Sequence, residues 1–186
     1  MRYPIATLGI VILLALPAVC LAQWPDECMY ENEPDLVDGY VDTWNGTCED
    51  AITEYDDTAI CAESGWYFTD GIMHRDNDWF ALRAIANEFS LTFQLERSLI
   101  VTMYCGESCG TLNNISGDNI MTAGVSETIT YVSNLPQVII IWFHIRPAEM
   151  GVESETFQYS LCGSGFTSVH ISDSDMTWGG MKALYK

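Results

Sequence analysis

One stretch of strict alternation limits this chain more than any other feature. Phe89, Leu91, Phe93 and Leu95 are separated by Ser90, Thr92 and Gln94. A period of two places every second side chain on the same face of an extended strand. The four apolar side chains therefore share one face, which needs a second layer to cover it. The pattern recurs. Phe80, Leu82 and Ala84 alternate within residues 78–84, Ile129 and Tyr131 alternate with Thr128 and Thr130, and Phe157, Tyr159 and Leu161 alternate with Gln158 and Ser160. Residues 99–104 are rich in β-formers, and Trp66-Tyr67-Phe68 is a short aromatic run. Residues 138–145 are apolar almost without interruption, as expected of a central strand buried on both faces. These signals recur every roughly 8–15 residues with turn residues between them. The expected fold is all-β, an antiparallel two-sheet β-sandwich of jelly-roll-like type. One stretch reads as helical: residues 47–55, whose Thr47-x-x-Asp50 start is like a capping box.

The ends differ from the middle. Arg2, an apolar run from Ile10 to Leu16, and the Cys20-Leu21-Ala22 segment before Gln23 predict a secretory signal peptide over residues 1–22. The apolar run is short for a bilayer span of roughly 20 residues. Residues 23–44 form an acidic, turn-rich segment, laid in extended form on the domain. The sandwich is placed at 45–165. Residues 166–186 are read as a linker and tail, in which Trp178, Met181, Leu184 and Tyr185 stand beside Lys182 and Lys186. The tail is either a packed terminus or an attachment element.

The chain has seven Lys and Arg against 26 Asp and Glu, a formal net charge of −19 that becomes −20 once Arg2 leaves with the signal peptide. Nucleic acid is excluded as a partner, because its phosphates would be repelled. The charge serves solubility outside the cell first, and divalent-cation binding second. Without Cys20, six cysteines remain: Cys28, Cys48, Cys61, Cys105, Cys109 and Cys162. An even number in an exported chain predicts disulfides, with fifteen connectivities open. The sequence spacing suggests Cys105–Cys109, Cys48–Cys61 and Cys28–Cys162. Paired zinc-knuckle spacings are missing.

Catalytic signatures are scarce. Cys162-Gly163-Ser164-Gly165-Phe166 lacks glycine at both outer positions of a nucleophile elbow. Among the three histidines, His144 lies inside the apolar strand run and reads as packed on a sheet, while His74 precedes Asp76-Asn77-Asp78 and is a weaker metal candidate. A carboxylate pair for glycoside hydrolysis stays open, but with 26 acids some pair always falls at a suitable spacing. Asn45-Gly46-Thr47 and Asn114-Ile115-Ser116 are glycosylation sequons, relevant only in a host that uses them.

Several segments together resemble the pre-peptidase C-terminal (PPC) domains of secreted bacterial proteases. Glu31-Asn32-Glu33-Pro34-Asp35 is similar to the acidic opening of that family, and residues 45–51 to its continuation after an insertion. Asp76-Asn77-Asp78-Trp79-Phe80-Ala81-Leu82 is similar to its central motif, and residues 98–104, 126–131 and 157–161 to its later strands. The six cysteines, the split opening and the lack of an accompanying catalytic domain depart from the family pattern. The resemblance implies that Asp76-Asn77-Asp78 is a turn entering a strand, with Trp79 and Phe80 on opposite faces. Some family members bind calcium through the acidic opening and neighbouring loop acids. Carried over, this implies Glu31, Glu33, Asp35, Asp76 and Asp78 as ligands, for an ion that takes about 6–8 oxygens.

The resulting expectation is a secreted, cell-surface or periplasmic, non-catalytic module that binds an extracellular protein or polysaccharide, stabilised by calcium. Trp44 and Trp66 are the candidate ligand-stacking aromatics. The alternatives are a small extracellular hydrolase using a carboxylate pair and a structural attachment protein held by its tail.

Overall fold

The computed structural model describes residues 28–31, 33–55, 59–132 and 139–169. The expected signal peptide and the tail carrying Trp178 and Lys186 lie outside the described residues. Eleven strands follow in chain order: β1 (Met29–Tyr30), β2 (Ile60–Thr69), β3 (Ile72–Arg75), β4 (Asp78–Ala84), β5 (Glu88–Leu95), β6 (Leu99–Cys105), β7 (Asn113–Met121), β8 (Glu127–Val132), β9 (Ile139–Pro147), β10 (Glu155–Ser164) and β11 (Phe166–Ser168). They form two packed sheets. One has the order β1-β2-β10-β5-β8, with β3 also pairing with β2; the other has the order β11-β4-β9-β6-β7. All pairs are antiparallel except β1 with β2. The expected β-sandwich is the observed fold.

The alternation sets the core. Phe89, Leu91, Phe93 and Leu95 of β5 are buried, as are Phe80, Leu82 and Ala84 of β4 and Phe157, Tyr159 and Leu161 of β10. Across the other sheet, Phe80 pairs with Phe143 and Phe143 with Met103, making one inward row. Phe166 of β11 packs on Phe89 and Phe143, with ring centroids 4.8 and 5.4 Å apart. Burying each large apolar side chain stabilises the fold by about 1.5–3 kcal/mol. β11 lies within the stretch read as a linker, yet pairs with β4 through Phe166–Ala84, Thr167–Arg83 and Ser168–Leu82.

Two glycines are fixed by geometry. Asp70 and Gly71 both have positive φ, 51° and 79°, and form the two-residue turn between β2 and β3. Such turns need positive φ at both positions, which Asp-Gly supplies cheaply. A Cβ on Gly65 would meet the Glu155 carbonyl oxygen at 1.9 Å, so only glycine fits where β2 and β10 approach.

Residues 47–55 are not helical. The Asp50 N–H bonds the Thr47 carbonyl at 3.1 Å, the Thr47 hydroxyl bonds Asp50 Oδ2 at 2.8 Å, and the pattern stops after that one turn. Ile52 instead bridges to Phe80, receiving a bond from the Ala81 N–H and donating to the Trp79 carbonyl. Pairing with β4 overrides the local helical preference.

The disulfides also differ from the spacing-based expectation. The described bridges are Cys28–Cys61 and Cys48–Cys109, with Cα separations of 5.7 and 5.8 Å. The parallel pairing of Tyr30 with Cys61 brings Cys28 within bridging reach of Cys61 and takes that partner from Cys48. Cys109 opens a short 3-10 turn after β6 and reaches Cys48. Cys105 ends β6 as a thiol, and Cys162 lies in neither bridge. In the chain-entropy account, loops of 33 and 61 residues stabilise by about 4 kcal/mol each. Two disulfides fit an oxidising, extracellular type of compartment. Among the described residues no helix is long and apolar enough to cross a membrane.

Candidate metal centre

The strand period brings the first acid into the core. Asp78 lies two residues before Phe80 on β4 and shares its inward face, opposite Ile145. It is fully buried, and Tyr159 donates a 2.8 Å hydrogen bond to its Oδ2. Asp76 precedes β4 and is anchored by its N–H on the Gly65 carbonyl at 3.1 Å; it is fully buried as well. The N-terminal segment brings three more acids to this point. Glu31 is fixed by its N–H on the Cys61 carbonyl, Glu33 accepts a hydrogen bond from the Tyr40 hydroxyl, and Asp42 lies three residues before Asn45, whose carbonyl receives the Trp79 N–H. Asn45 is fully buried and donates its side-chain amide to Glu31.

The five acids form two overlapping triplets. Ligand atoms of Glu31, Glu33 and Asp78 lie within 4.8 Å of one another, as do those of Glu33, Asp42 and Asp76. Glu33 belongs to both. These buried acidic clusters can hold a metal ion. One oxygen each of Glu31, Glu33, Asp42 and Asp78 and Asn45 Oδ1 are buried without a hydrogen-bond partner, and Asp76 makes no well-formed side-chain bond, although the Asn77 N–H and the Ser64 hydroxyl beside it pull its pKa down. Neither ion pair among the described residues, Arg97–Glu155 or Arg146–Asp118, includes any of them.

Buried carboxylates with too few donors for their oxygens are costly to ionise. Burial, then mutual repulsion, pushes Glu31, Asp76 and Asp78 well above the usual carboxylate range. Burial raises Glu33 to about 7, opposed by the Tyr40 hydrogen bond and reinforced by Asp42 and Glu63. Burial also raises Asp42, while the backbone N–H groups of Trp44 and Asn77 pull it down. The cluster thus has two ways to balance its charge: bind protons or bind a cation. The donor atoms are all oxygen, which suits hard cations.

Sequence reasoning located this centre only in part. Of the acids named from the resemblance, Glu31, Glu33, Asp76 and Asp78 fall within the two triplets. Asp35 is exposed and joins neither triplet. Asp42, Asn45 and Ser64 were missed. Asp42 and Asn45 sit in a stretch with no periodicity, so only the chain path across β4 reveals them. Ser64 was readable in principle, two residues before the buried Trp66 on β2. Asn45 of the first sequon is committed to the cluster interior, whereas Asn114 of the second is exposed on β7.

The aromatic candidates separate. Trp66 is 6% exposed, packs on Phe157 at 5.3 Å and donates its indole N–H to the Glu149 carbonyl at 2.8 Å, so it is a core residue. Trp44 is 47% exposed, and its indole N–H bonds the Glu31 carbonyl at 3.2 Å. His74 stacks on Tyr67 at 5.4 Å and belongs to neither acid triplet. His144 packs against Trp79 at 4.5 Å, with Nε2 on Asn77 Oδ1 at 2.9 Å and Nδ1 facing Arg146 at 3.1 Å. Burial, then the Arg146 charge, lowers His144 to about 4.

No family model and no curated protein matches the chain.

Proposed function

We propose that this chain is a secreted, non-catalytic β-sandwich module of the PPC type, that its role is extracellular binding or surface association, and that the acid cluster is a calcium centre. The observation that carries this reading is the set of buried, unpartnered oxygens on Glu31, Glu33, Asp42, Asn45 and Asp78, with Asp76 beside them. Calcium takes about 6–8 oxygens in irregular geometry, whereas magnesium demands near-octahedral geometry and keeps several waters. An asymmetric, all-oxygen set of carboxylates with one amide carbonyl favours calcium. Bound there, calcium would neutralise part of the cluster charge and fasten the N-terminal segment, through Glu31, Glu33 and Asp42, to the start of β4, through Asp76 and Asp78.

The same burial argues against the hydrolase alternative at this cluster. Asp76 and Asp78 have 0% exposure, so no glycan can be seated between them. The PPC reading is supported by the sandwich and by the joint placement of the acidic opening and the Asp-x-Asp-Trp-Phe motif.

The test is a thermal melt of the oxidised protein in calcium and in chelator. A ligand that binds only the folded state stabilises by about 2.7 kcal/mol at a hundredfold excess over Kd. The expected outcome is a clear upward shift in Tm with calcium, lost in Asp76→Asn. No shift with calcium would sink the calcium centre. Titration calorimetry then gives the number of ions held by the two triplets.

A further inference from the structure

The segment that brings Glu31 and Asp42 to the acid cluster also walls an open cleft. Trp44, 47% exposed, and Tyr30, 66% exposed, line it together with Thr43, Asp50 and Glu54. Its volume is about 730 Å3, within the range of small-ligand sites. The indole of Trp44 is held by its bond to the Glu31 carbonyl, so the ring stands oriented before any ligand arrives. Among the described residues no basic side chain lines the cleft. Among the described residues the only Lys or Arg side chains are Arg75, Arg83, Arg97 and Arg146, and the last two are paired with Glu155 and Asp118. Asp50 and Glu54 belong to neither metal triplet, so a bound ion leaves their charge in place.

Electron-rich rings beside carboxylates form the chemistry that receives organic cations. The excess of 26 acids over seven bases draws such ligands in and repels anionic ones. The geometry points to this cleft as a docking site for a basic peptide segment, with a Lys or Arg side chain over Trp44 and its charge towards Asp50 and Glu54. This inference rests on the binding-module reading but not on the metal.

Calorimetric titration of the calcium-loaded protein with an octalysine peptide, an octaglutamate peptide and cellohexaose at physiological salt tests it. Octalysine is expected to bind, and the other two are not. Trp44→Ala leaves the net charge unchanged and is expected to weaken octalysine about tenfold. Trp44→Phe is expected to restore most of the loss, and Glu54→Gln to weaken binding by a smaller factor. Unchanged octalysine affinity in Trp44→Ala would show attraction by the overall field alone and overturn the site. Cellohexaose binding without octalysine binding would overturn it in favour of a saccharide. A retained calcium shift in Tm with no octalysine binding would remove this inference and leave the metal centre standing. Loss of that shift in Trp44→Ala would mean that the substitution had damaged the centre, and the comparison then passes to Glu54→Gln.

Discussion

The inter-sheet core and the acid cluster meet on strand β4, yet they are opposites. Phe80 and Asp78 are both 0% exposed and point to the same side of that strand. Phe80 meets Phe143 and the apolar row behind it, and nothing further is required. Asp78 meets Tyr159 on one oxygen and leaves the other unpartnered. Burial of an apolar group stabilises by itself, whereas burial of a carboxylate stabilises only with a proton or a cation. The core is therefore complete in the chain alone. The cluster needs protons or a cation to balance its charge.

The sharpest way to break this contrast is to damage each half. Phe80→Ala is expected to cost about 3–5 kcal/mol in calcium and in chelator alike, read by denaturant melts. Asp76→Asn is expected to behave in the reverse sense. It removes one of the repelling carboxylates, so in chelator the variant should be at least as stable as the parent, and calcium should no longer raise its Tm. A large loss of stability in chelator would mean that Asp76 holds the fold by contacts of its own.

Acidity separates the two regions next. Glu33 has a folded-state pKa of about 7, above its ordinary value of 4.5. In chelator its contribution is full below pH 4.5 and is lost as the pH rises through 7. Calcium needs the ionised form, so the calcium-induced Tm shift should shrink as the pH falls through that window. His144 works the other way. Its pKa is lowered from 6.5 to about 4, so its contribution is full above 6.5 and is lost as the pH falls towards 4. About 3 kcal/mol is at stake. Comparing pH profiles of the parent and His144→Gln in saturating calcium isolates this slope; parallel profiles would refute it.

The smallest effect is expected at the surface. Arg97 and Glu155 form a 2.6 Å ion pair between side chains 55% and 38% exposed. Arg97→Ala should change stability by less than about 0.5 kcal/mol, with or without calcium. A larger loss would put surface charge on a par with the two buried regions.

Much of this was legible in the sequence. The alternation around Phe93 and Phe157 predicted both the strands and their buried faces, because a period of two converts directly into sidedness. The same parity placed Asp78 with Phe80, Leu82 and Ala84, so its burial was implicit once that face was assigned to the core. The Asp70-Gly71 turn was open to the same reading but was not drawn from the sequence, although few other dipeptides meet its backbone requirement cheaply. β7 was not, because its face is mostly exposed and carries no apolar rhythm: Asn113, Asn114, Gly117 and Asp118 interrupt it.

By itself the sequence determined the all-β class, the core faces and the strongly acidic composition. These follow from local period and composition, which the neighbours along the chain settle. Tertiary structure decided what depends on chain path. It bridged Cys28 to Cys61 and Cys48 to Cys109, turned residues 47–55 into a bridge along β4, kept Asp35 out of the cluster and brought Asp42 and Asn45 in. Those outcomes depend on distances between residues far apart in the chain. Such distances are fixed only when the two sheets close on each other and the N-terminal segment crosses the start of β4.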